Sequence, residues 1–162
     1  MALAIAALAL LCNVWLPQQV ETAYATYRVE QVTLSDRTAP RVFWVNNSLA
    51  SLIDASEPPR FARYIERLRD ILIGEMALKA RDILVLGAGG FTLSHDEKAN
   101  RYTYVDIDPA IRELAEQHFL RNEIQGRFVA MDARRFVIDT PARFDVVVVD
   151  ASSAHTSMPA HL

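Results

Sequence analysis

Cysteine, net charge and long apolar runs are all scarce in this chain of 162 residues, and each scarcity excludes a class of protein. The single cysteine, Cys12, excludes an intrachain disulfide and a zinc site built from cysteines. The net charge is only −3 and no run of like charge occurs, which argues against a nucleic-acid binder because neutralising phosphates needs a basic surface. Apolar residues still make up 51% of the chain, enough for one domain with a real core.

The main apolar run, MALAIAALALLCNVWL, covers residues 1–16 and is followed by Pro17. It is shorter than the roughly 20 residues that a membrane span needs, and it lacks the positive n-region of a signal peptide. Cys12 follows Leu-Leu instead of a small residue, which disfavours a lipoprotein cleavage site. Three interpretations stay open: the remnant of a transmembrane helix whose start is missing, a weak membrane anchor, and a buried core helix.

The next two segments predict a small β unit and a helix. Residues 20–55 contain TYRVEQVTL and RVFWVNN, whose alternation and β-branched content predict a β-hairpin domain. Residues 56–80 predict a linking helix, with Ser56 as its N-cap and prolines in its first turn. Its apolar side chains recur at spacings of three and four: Phe61, Tyr64, Ile65, Leu68, Ile71 and Leu72.

From residue 81 to residue 162 the pattern is that of an α/β domain. Four apolar segments predict strands, namely DILVLG, RYTYVDID, GRFVAMD and RFDVVVVD, and PAIRELAEQHFL predicts a helix opened by Pro109. Such an alternation predicts a parallel sheet with helices on its faces. The continuous apolar character of DILVLG is typical of a strand that is buried on both faces.

Each predicted strand carries, at or near its carboxyl end, a residue suited to binding: Gly87, Asp106, Asp132 and Asp150. Ligands of open α/β sheets bind beyond the carboxyl ends of the strands, so we expect these residues to share one edge. The alternative interpretation is that the three carboxylates are helix caps and solvated strand ends, which would account for any one of them.

A nucleoside is the ligand that this pattern favours. Gly87, Gly89 and Gly90 allow a tight turn and a close approach of the backbone to a ligand. Asp106 follows Gly87 by 19 residues, where nucleoside-binding sheets place an acid that accepts hydrogen bonds from ribose hydroxyls. Asp132 is placed to meet the adenine edge.

The composition of the glycine turn favours a sulfonium over a dinucleotide. The dinucleotide fingerprint requires a sixth-position glycine, and this chain has Thr92 there. A pyrophosphate would seek free amides at a helix N-terminus, whereas a sulfonium cation favours carboxylates. The turn itself contains no lysine or arginine, and three acids follow the strands.

Five blocks, in order, resemble the signature blocks of the spermidine synthase-like aminopropyltransferases: ILVLGAGGFTL, YVDIDPAIRELAEQHF, GRFVAMDARRFV, FDVVVVDASSA and MPAHL. The resemblance covers about residues 20–162 and is strongest to the subgroup whose domain follows transmembrane helices. It implies a methyltransferase-like Rossmann parallel sheet preceded by a small N-terminal β-hairpin domain. It also implies a transferase that moves an aminopropyl group from decarboxylated S-adenosylmethionine, or from a relative of it, to a small-molecule amine.

Residue by residue, the resemblance implies that Asp106 holds the ribose, that Asp132 and the adjacent Ala133 hold the adenine, and that the glycines line the donor. Asp150 would orient and deprotonate the amine acceptor, since an alkylammonium must lose a proton before it attacks carbon.

The chain departs from the family pattern at three positions. Gly90 stands where the family has an aspartate, Ser153 where it has a second acid, and Ala50 where it has a glutamine. Tyr64 and Ser153 fall at positions that the family uses for substrate. An unpaired buried ammonium costs several kcal/mol, so the loss of two acids argues against tight binding of a diamine.

Several wider expectations follow from the resemblance. The sheet is expected to be incomplete, because the family continues past MPAHL with a helix and more strands, so the chain is interpreted as a fragment. We expect no metal, since no histidine pair has ligand spacing. A membrane tether with a cytoplasmic catalytic domain is expected, with a cytoplasmic protein as the alternative, and a homodimer is a candidate assembly. Two further functions stay open: an S-adenosylmethionine-dependent methyltransferase, and a non-catalytic ligand-binding accessory domain of a membrane protein.

Overall fold

The computed structural model describes residues 18–33, 38–54 and 56–150. The interpretations of the apolar segment 1–17, of the closing MPAHL and of Ser153 lie outside these ranges. Within them, no helix combines the length and the apolar character that crossing a bilayer requires.

The N-terminal unit is an antiparallel sheet of five strands in chain order. Its strands are β1 (Gln18–Glu21), β2 (Thr26–Gln31), β3 (Arg41–Val45), β4 (Ser48–Asp54) and β5 (Arg60–Phe61). The predicted hairpin is the β2–β3 pair, in which Tyr27 lies opposite Val45. The sheet is larger than that hairpin, since β1, β4 and β5 also pair in it. These three strands have weak strand patterns in the sequence, and pairing with their neighbours decides their structure.

The linking helix begins later than the sequence predicts. Helix α1 covers Arg63–Arg69 and continues as one π-helical segment, Asp70–Glu75. Ser56 is not its N-cap, since its hydroxyl donates to the carbonyl of Pro58 at 3.1 Å. Two consecutive prolines keep the preceding residues out of the helical region, and Phe61 instead pairs with Ile53 as part of β5.

The second unit is a parallel sheet of four strands in the order β8-β7-β6-β9. These are β6 (Asp82–Leu86), β7 (Arg101–Asp106), β8 (Arg127–Ala130) and β9 (Val146–Val149). Helix α2 (Ala110–Leu114) continues as the π-helical segment Ala115–Leu120 and joins β7 to β8, and α3 (Ala133–Asp139) joins β8 to β9. The predicted α/β fold with a parallel sheet behind an antiparallel N-terminal sheet is confirmed.

Strand β6 is the centre of this sheet because both of its faces are apolar. Residues Ile83, Leu84, Val85 and Leu86 are all at most 8% exposed. One face joins the larger core, which continues into the N-terminal sheet, and the other packs on Ala133 and Phe136 of α3. The chain runs from β6 outward to β7 and β8 and then returns to β9 on the other side. This reversal of strand order opens the crevice in which ligands of such sheets bind.

Apolar and polar contacts fasten the two sheets together. The rings of Phe43 and Phe119 lie with centroids 5.4 Å apart, and the Arg41 guanidinium donates to the carbonyls of Phe119 and Leu120. The N-terminal sheet is thereby held beside the glycine turn that follows β6.

Candidate functional site

The carboxyl ends of the parallel strands lie level with one another. Leu86 pairs with Val105 on one side and with Val149 on the other. Gly87 donates its amide to the carbonyl of Val105 at 2.8 Å. The amide of Asp150 donates to the carbonyl of Leu86 at the same distance. Gly87, Asp106 and Asp150 therefore meet at one edge of the sheet.

The turn after β6 needs glycine at two positions for conformational reasons. Gly87 has φ 93° and Gly89 has φ 51°, in the region that side chains disfavour. A Cβ on Gly89 would lie 3.6 Å from Oδ2 of Asp150 and 3.8 Å from the carbonyl of Ala50. The turn thus brings bare backbone beside the Asp150 carboxylate.

Gly90 is required by packing and not by a positive φ. A Cβ at this position would lie 2.3 Å from Cε1 of Phe119 and 2.7 Å from Cβ of Ser51. Both neighbours are fully buried. The direction in which a side chain would leave Gly90 is therefore already filled by the core.

The Asp106 carboxylate is fixed by backbone amides at the end of β7. Its Oδ2 accepts from the amide of Ala88 at 2.9 Å, and its Oδ1 accepts from the amide of Asp108 at 3.0 Å. Burial raises the pKa of this carboxyl although those bonds oppose the rise. Because each carboxylate oxygen has more than one lone pair, the group can still accept from a ligand.

Asp108 belongs to this region, although sequence reasoning did not single it out. It is 1% exposed, and its carboxylate accepts from the Thr22 hydroxyl at 2.5 Å and from the amide of Ala110 at 3.0 Å. Burial, and then a hydrogen bond to Asp108, raise the pKa of Tyr27. Asp108 therefore ties the N-terminal sheet to the strand end that carries Asp106. The signal in the sequence was the Asp-Pro pair that opens a helix.

Asp132 and Ala133 both have structural roles. Oδ1 of Asp132 accepts from the amide of Arg135 at 2.8 Å and caps α3. The side chain of Ala133 is 6% exposed and packs with Leu84 and Leu86. The helix-cap interpretation thus accounts for Asp132, and the contact of this pair with adenine stays a prediction.

Asp150 makes a polar contact with Tyr64 of α1, which lies 86 residues earlier in the chain. The Tyr64 hydroxyl is 3.3 Å from Oδ2 of Asp150 and donates to the carbonyl of Ala50 at 2.5 Å. Burial raises the pKa of the Asp150 carboxyl from its ordinary 3.8 to about 6, against the opposing effect of the Tyr64 hydroxyl. Burial and the charge of Asp150 also raise the pKa of Tyr64, which stays protonated as a donor.

The comparisons with known proteins concern both the sequence and the fold. Polyamine aminopropyltransferase 1 of Pseudomonas aeruginosa is 32% identical over 84 residues, which cover 45% of this chain and 29% of that protein. A crystal structure of a probable spermidine synthase from Corynebacterium glutamicum superposes with a TM-score of 0.65 at 19% identity, over 89% of this chain and 55% of that one. No family model matches the chain.

The chain has a spermidine synthase-like fold. It spans 55% of the length of that structure and less than a third of the Pseudomonas relative. Among residues 18–33, 38–54 and 56–150, no group of three histidine, cysteine or acidic side chains could hold a metal ion.

Of the predicted site residues, the structure brings Tyr64, Gly89 and Asp150 together, with Gly87 and Asp106 on the same edge. The Ala50 carbonyl joins this group. In the sequence, position 50 stands out because alanine replaces the glutamine of the family pattern. No local pattern predicts the contact between Tyr64 and Asp150, which are 86 residues apart.

The contact between Tyr64 and Asp150 can be tested without a substrate, through the pKa of the Asp150 carboxyl. Because its hydroxyl lowers the pKa of Asp150, we expect Tyr64→Phe to move that pKa above 6. The measurement is the pH titration of the Asp150 carboxyl carbon by NMR. Tyr24→Phe is the control, since that side chain is 53% exposed and lies outside the site. An unchanged or lower Asp150 pKa in Tyr64→Phe would contradict the contact.

Proposed function

We propose that this chain carries the donor-binding and catalytic part of a spermidine synthase-like aminopropyltransferase, with Asp150 as general base. The observation that carries the proposal is a partly buried carboxylate with a pKa of about 6, level with a bare glycine turn at the crevice edge. A general base works best when its pKa lies near the operating pH. The sequence and fold similarities to aminopropyltransferases support the transferase class.

The proposed donor is decarboxylated S-adenosylmethionine, with its sulfonium beside Asp150. The ribose hydroxyls would donate to Asp106, whose carboxylate is held rigid by two backbone amides. The adenine would lie against the α3 N-terminus, at Asp132 and Ala133. Residues 87–92 contain no basic side chain to repel the cation.

The reaction requires one proton transfer and one substitution. Asp150 accepts a proton from the acceptor ammonium, and the amine lone pair then attacks the methylene carbon bonded to the sulfonium. The new carbon–nitrogen bond forms as the carbon–sulfur bond breaks. The electron pair of the broken carbon–sulfur bond stays on sulfur, and neutral methylthioadenosine leaves. Holding the amine and the methylene carbon in line supplies much of the acceleration by proximity. The Tyr64 hydroxyl would orient the carboxylate for this transfer.

The proposed acceptor is a small amine of unspecified type. A diamine is not specified, because the acids that would bind it are replaced in this chain. Position 90 carries no acid, and the space that its side chain would enter is occupied by Phe119 and Ser51. The same observation favours a second candidate, an S-adenosylmethionine-dependent methyltransferase, because a missing acid relieves repulsion with the methionine carboxylate. The replacements at positions 50, 90 and 153 are also consistent with a third candidate, a non-catalytic ligand-binding accessory domain of a membrane protein. A membrane tether and a homodimer remain proposals.

Calorimetry with decarboxylated and ordinary S-adenosylmethionine separates the first two candidates. We expect the decarboxylated form to bind more tightly, and mass spectrometry to detect an aminopropylated amine when a panel of mono- and diamines is added. Preference for the carboxylated form would reject aminopropyl transfer. Donor binding without any product from the full-length protein would support the accessory domain.

Asp106 is expected to carry much of the nucleoside affinity. Asp106→Asn should weaken binding of methylthioadenosine by about 1–3 kcal/mol, because a charged acceptor of ribose hydroxyls is lost. Asn can accept only one of the two backbone N–H bonds that the carboxylate accepts, so thermal unfolding is measured alongside and affinities are compared on folded protein. Asp70→Asn, an exposed acid on the π-helical segment after α1, is the control and should bind as the wild type does. Equal affinity in all three proteins would remove Asp106 from the site.

A further inference from the structure

Two hydroxyl groups of the N-terminal unit meet one buried carboxylate beyond the end of β7. The Thr22 hydroxyl donates to Oδ2 of Asp108 at 2.5 Å, and the Tyr27 hydroxyl is hydrogen-bonded to the same side chain. Thr22 follows β1 directly and Tyr27 lies in β2, whereas Asp108 lies between β7 and α2. The Asp108 carboxylate therefore joins the two sheets at the strand end that carries Asp106.

The side chain of Asp108 is held from three directions. It is 1% exposed, and besides the two hydroxyls it accepts from the amide of Ala110, the first residue of α2, at 3.0 Å. A carboxylate suits this place because its two oxygens can accept from several donors at once, whereas an amide side chain has one acceptor oxygen. Residue 108 is thereby fixed relative to the N-terminal sheet.

The backbone of Asp108 carries this fixed position to Asp106. The amide of Asp108 donates to Oδ1 of Asp106 at 3.0 Å, and the amide of Ala88, in the glycine turn, donates to Oδ2 at 2.9 Å. Each oxygen of the Asp106 carboxylate is thus held by one amide. One of these two amides belongs to the residue that Thr22 and Tyr27 hold, so the direction of the carboxylate depends on the N-terminal sheet.

We propose that Thr22 and Tyr27 are positioning residues for the nucleoside site, and that they act through Asp108 on the Asp106 carboxylate. The inference rests on the proposed function, in which Asp106 accepts from the ribose hydroxyls. A carboxylate that is already oriented loses less freedom when the ligand binds, which raises affinity. The N-terminal sheet thereby gains a role in donor binding.

Tyr27→Phe is the most conservative test. It removes one hydroxyl and keeps the buried ring, whose centroid lies 5.9 Å from that of Phe43. We expect methylthioadenosine to bind about three- to tenfold more weakly in calorimetry, as for one lost hydrogen bond. Thermal unfolding shows whether the variant is folded at the temperature used. Tyr24→Phe is the control, since it removes a hydroxyl from the neighbouring β1–β2 connection, is 53% exposed, and should bind as the wild type does.

Two substitutions of Thr22 separate its hydroxyl from its shape. The hydroxyl oxygen also accepts from the amides of Tyr24 and Ala25 at 3.1 Å each, so Thr22→Val removes these turn bonds together with the bond to Asp108. Thr22→Ser keeps the hydroxyl. We expect Thr22→Ser to bind methylthioadenosine almost as the wild type does, and Thr22→Val to bind it at least as weakly as Tyr27→Phe. Equal weakening by serine and valine would overturn the role of the Thr22 hydroxyl.

A double-mutant cycle with Asp106→Asn shows whether Tyr27 acts through Asp106. If it does, Tyr27→Phe weakens binding in the wild-type background and has little further effect in the Asp106→Asn background. An equal loss in both backgrounds would show that Tyr27 supports the fold alone, and would overturn the inference.

The same measurements separate failure of this inference from failure of the proposed function. Unchanged affinity in Tyr27→Phe, when Asp106→Asn does weaken binding, would overturn the positioning role and leave the donor site standing. Unchanged affinity in Asp106→Asn itself would remove Asp106 from the donor site, and the positioning role with it.

Discussion

Replacing Gly90 with alanine is expected to lower the free energy of unfolding by about 3 kcal/mol, towards the upper end for overpacking of a core. The added carbon would lie 2.3 Å from Cε1 of Phe119 and 2.7 Å from Cβ of Ser51. Neither neighbour can retreat easily. Phe119 is 0% exposed and packs on Phe43, and the Ser51 hydroxyl is hydrogen-bonded to Thr92 at 2.7 Å.

Gly74→Ala is the matched control for this substitution. Among the described residues, nothing lies within 4 Å of a Cβ at Gly74. It lies in the π-helical segment after α1, so alanine should stabilise the protein by about 0.5–1 kcal/mol through helix propensity. Urea unfolding followed by circular dichroism would measure both variants. A Gly90→Ala protein within about 0.5 kcal/mol of wild type, the usual range of harmless surface changes, would contradict the packing argument.

The double variant Gly90→Ala/Phe119→Leu tests whether the two positions are coupled. Phe119→Leu alone leaves a cavity and destabilises the fold, but it also frees space beside position 90. The cost of the double variant should therefore be smaller than the sum of the single costs. Under the proposed function, an acid at position 90 would need more space beside both Phe119 and Ser51, so core packing would limit which donor the turn can accept.

The parallel sheet could be predicted because its sequence signals are local. Strand β6 is buried on both faces and is apolar throughout, and this continuous pattern is what a central parallel strand requires. The edge position of Asp106 and Asp150 follows from the same topology, since parallel strands present their carboxyl ends together. Propensity was insufficient for β1, whose residues are QQVE, because its pairing with β2 decides its structure.

The contacts around the candidate site could not be predicted, because they join residues far apart in the chain. Thr22 and Asp108 are separated by 86 residues, as are Tyr64 and Asp150. The helical spacing of Tyr64 is equally consistent with a place in the core, whereas its hydroxyl lies 3.3 Å from Oδ2 of Asp150. At Gly90 the sequence predicts a close approach of the backbone to a ligand, which stays a prediction, and the structure adds that Phe119 and Ser51 fill the space that a Cβ would enter. Packing of this kind depends on which side chain arrives from another element.

Asp150→Asn is expected to reduce turnover by a factor of about 10²–10⁴, the usual contribution of a general base, with nucleoside affinity nearly unchanged. In the wild type, turnover should rise with pH through about 6, because only the ionised carboxylate accepts a proton. Measurement of kcat from pH 5 to pH 8 with the active amine checks both statements. An unaltered rate in Asp150→Asn would show that another group is the base.

The same substitution should make the protein more stable, with a pH dependence of known sign. The folded state raises the pKa of Asp150 from 3.8 to about 6, so it binds the proton more tightly than the unfolded chain does. Stability from this group is therefore complete below pH 4 and is lost as the pH rises through 6. Asparagine has no charge to desolvate. We expect Asp150→Asn to be more stable than wild type by about 1–2 kcal/mol at pH 8, since solvent screening reduces the roughly 1.4 kcal/mol per pKa unit, and equal to it at pH 4.

Asp82 supplies a control of opposite sign. Its hydrogen bonds with Arg101 lower the pKa of its carboxyl, so its contribution to stability is present at neutral pH and is lost in acid. Asp82→Asn should therefore destabilise the protein at pH 8 and have no effect well below the ordinary pKa of an aspartate. If Asp150→Asn instead loses stability at pH 8, as Asp82→Asn should, then the Asp150 carboxylate is stabilised by its surroundings and is not a base held ready by burial.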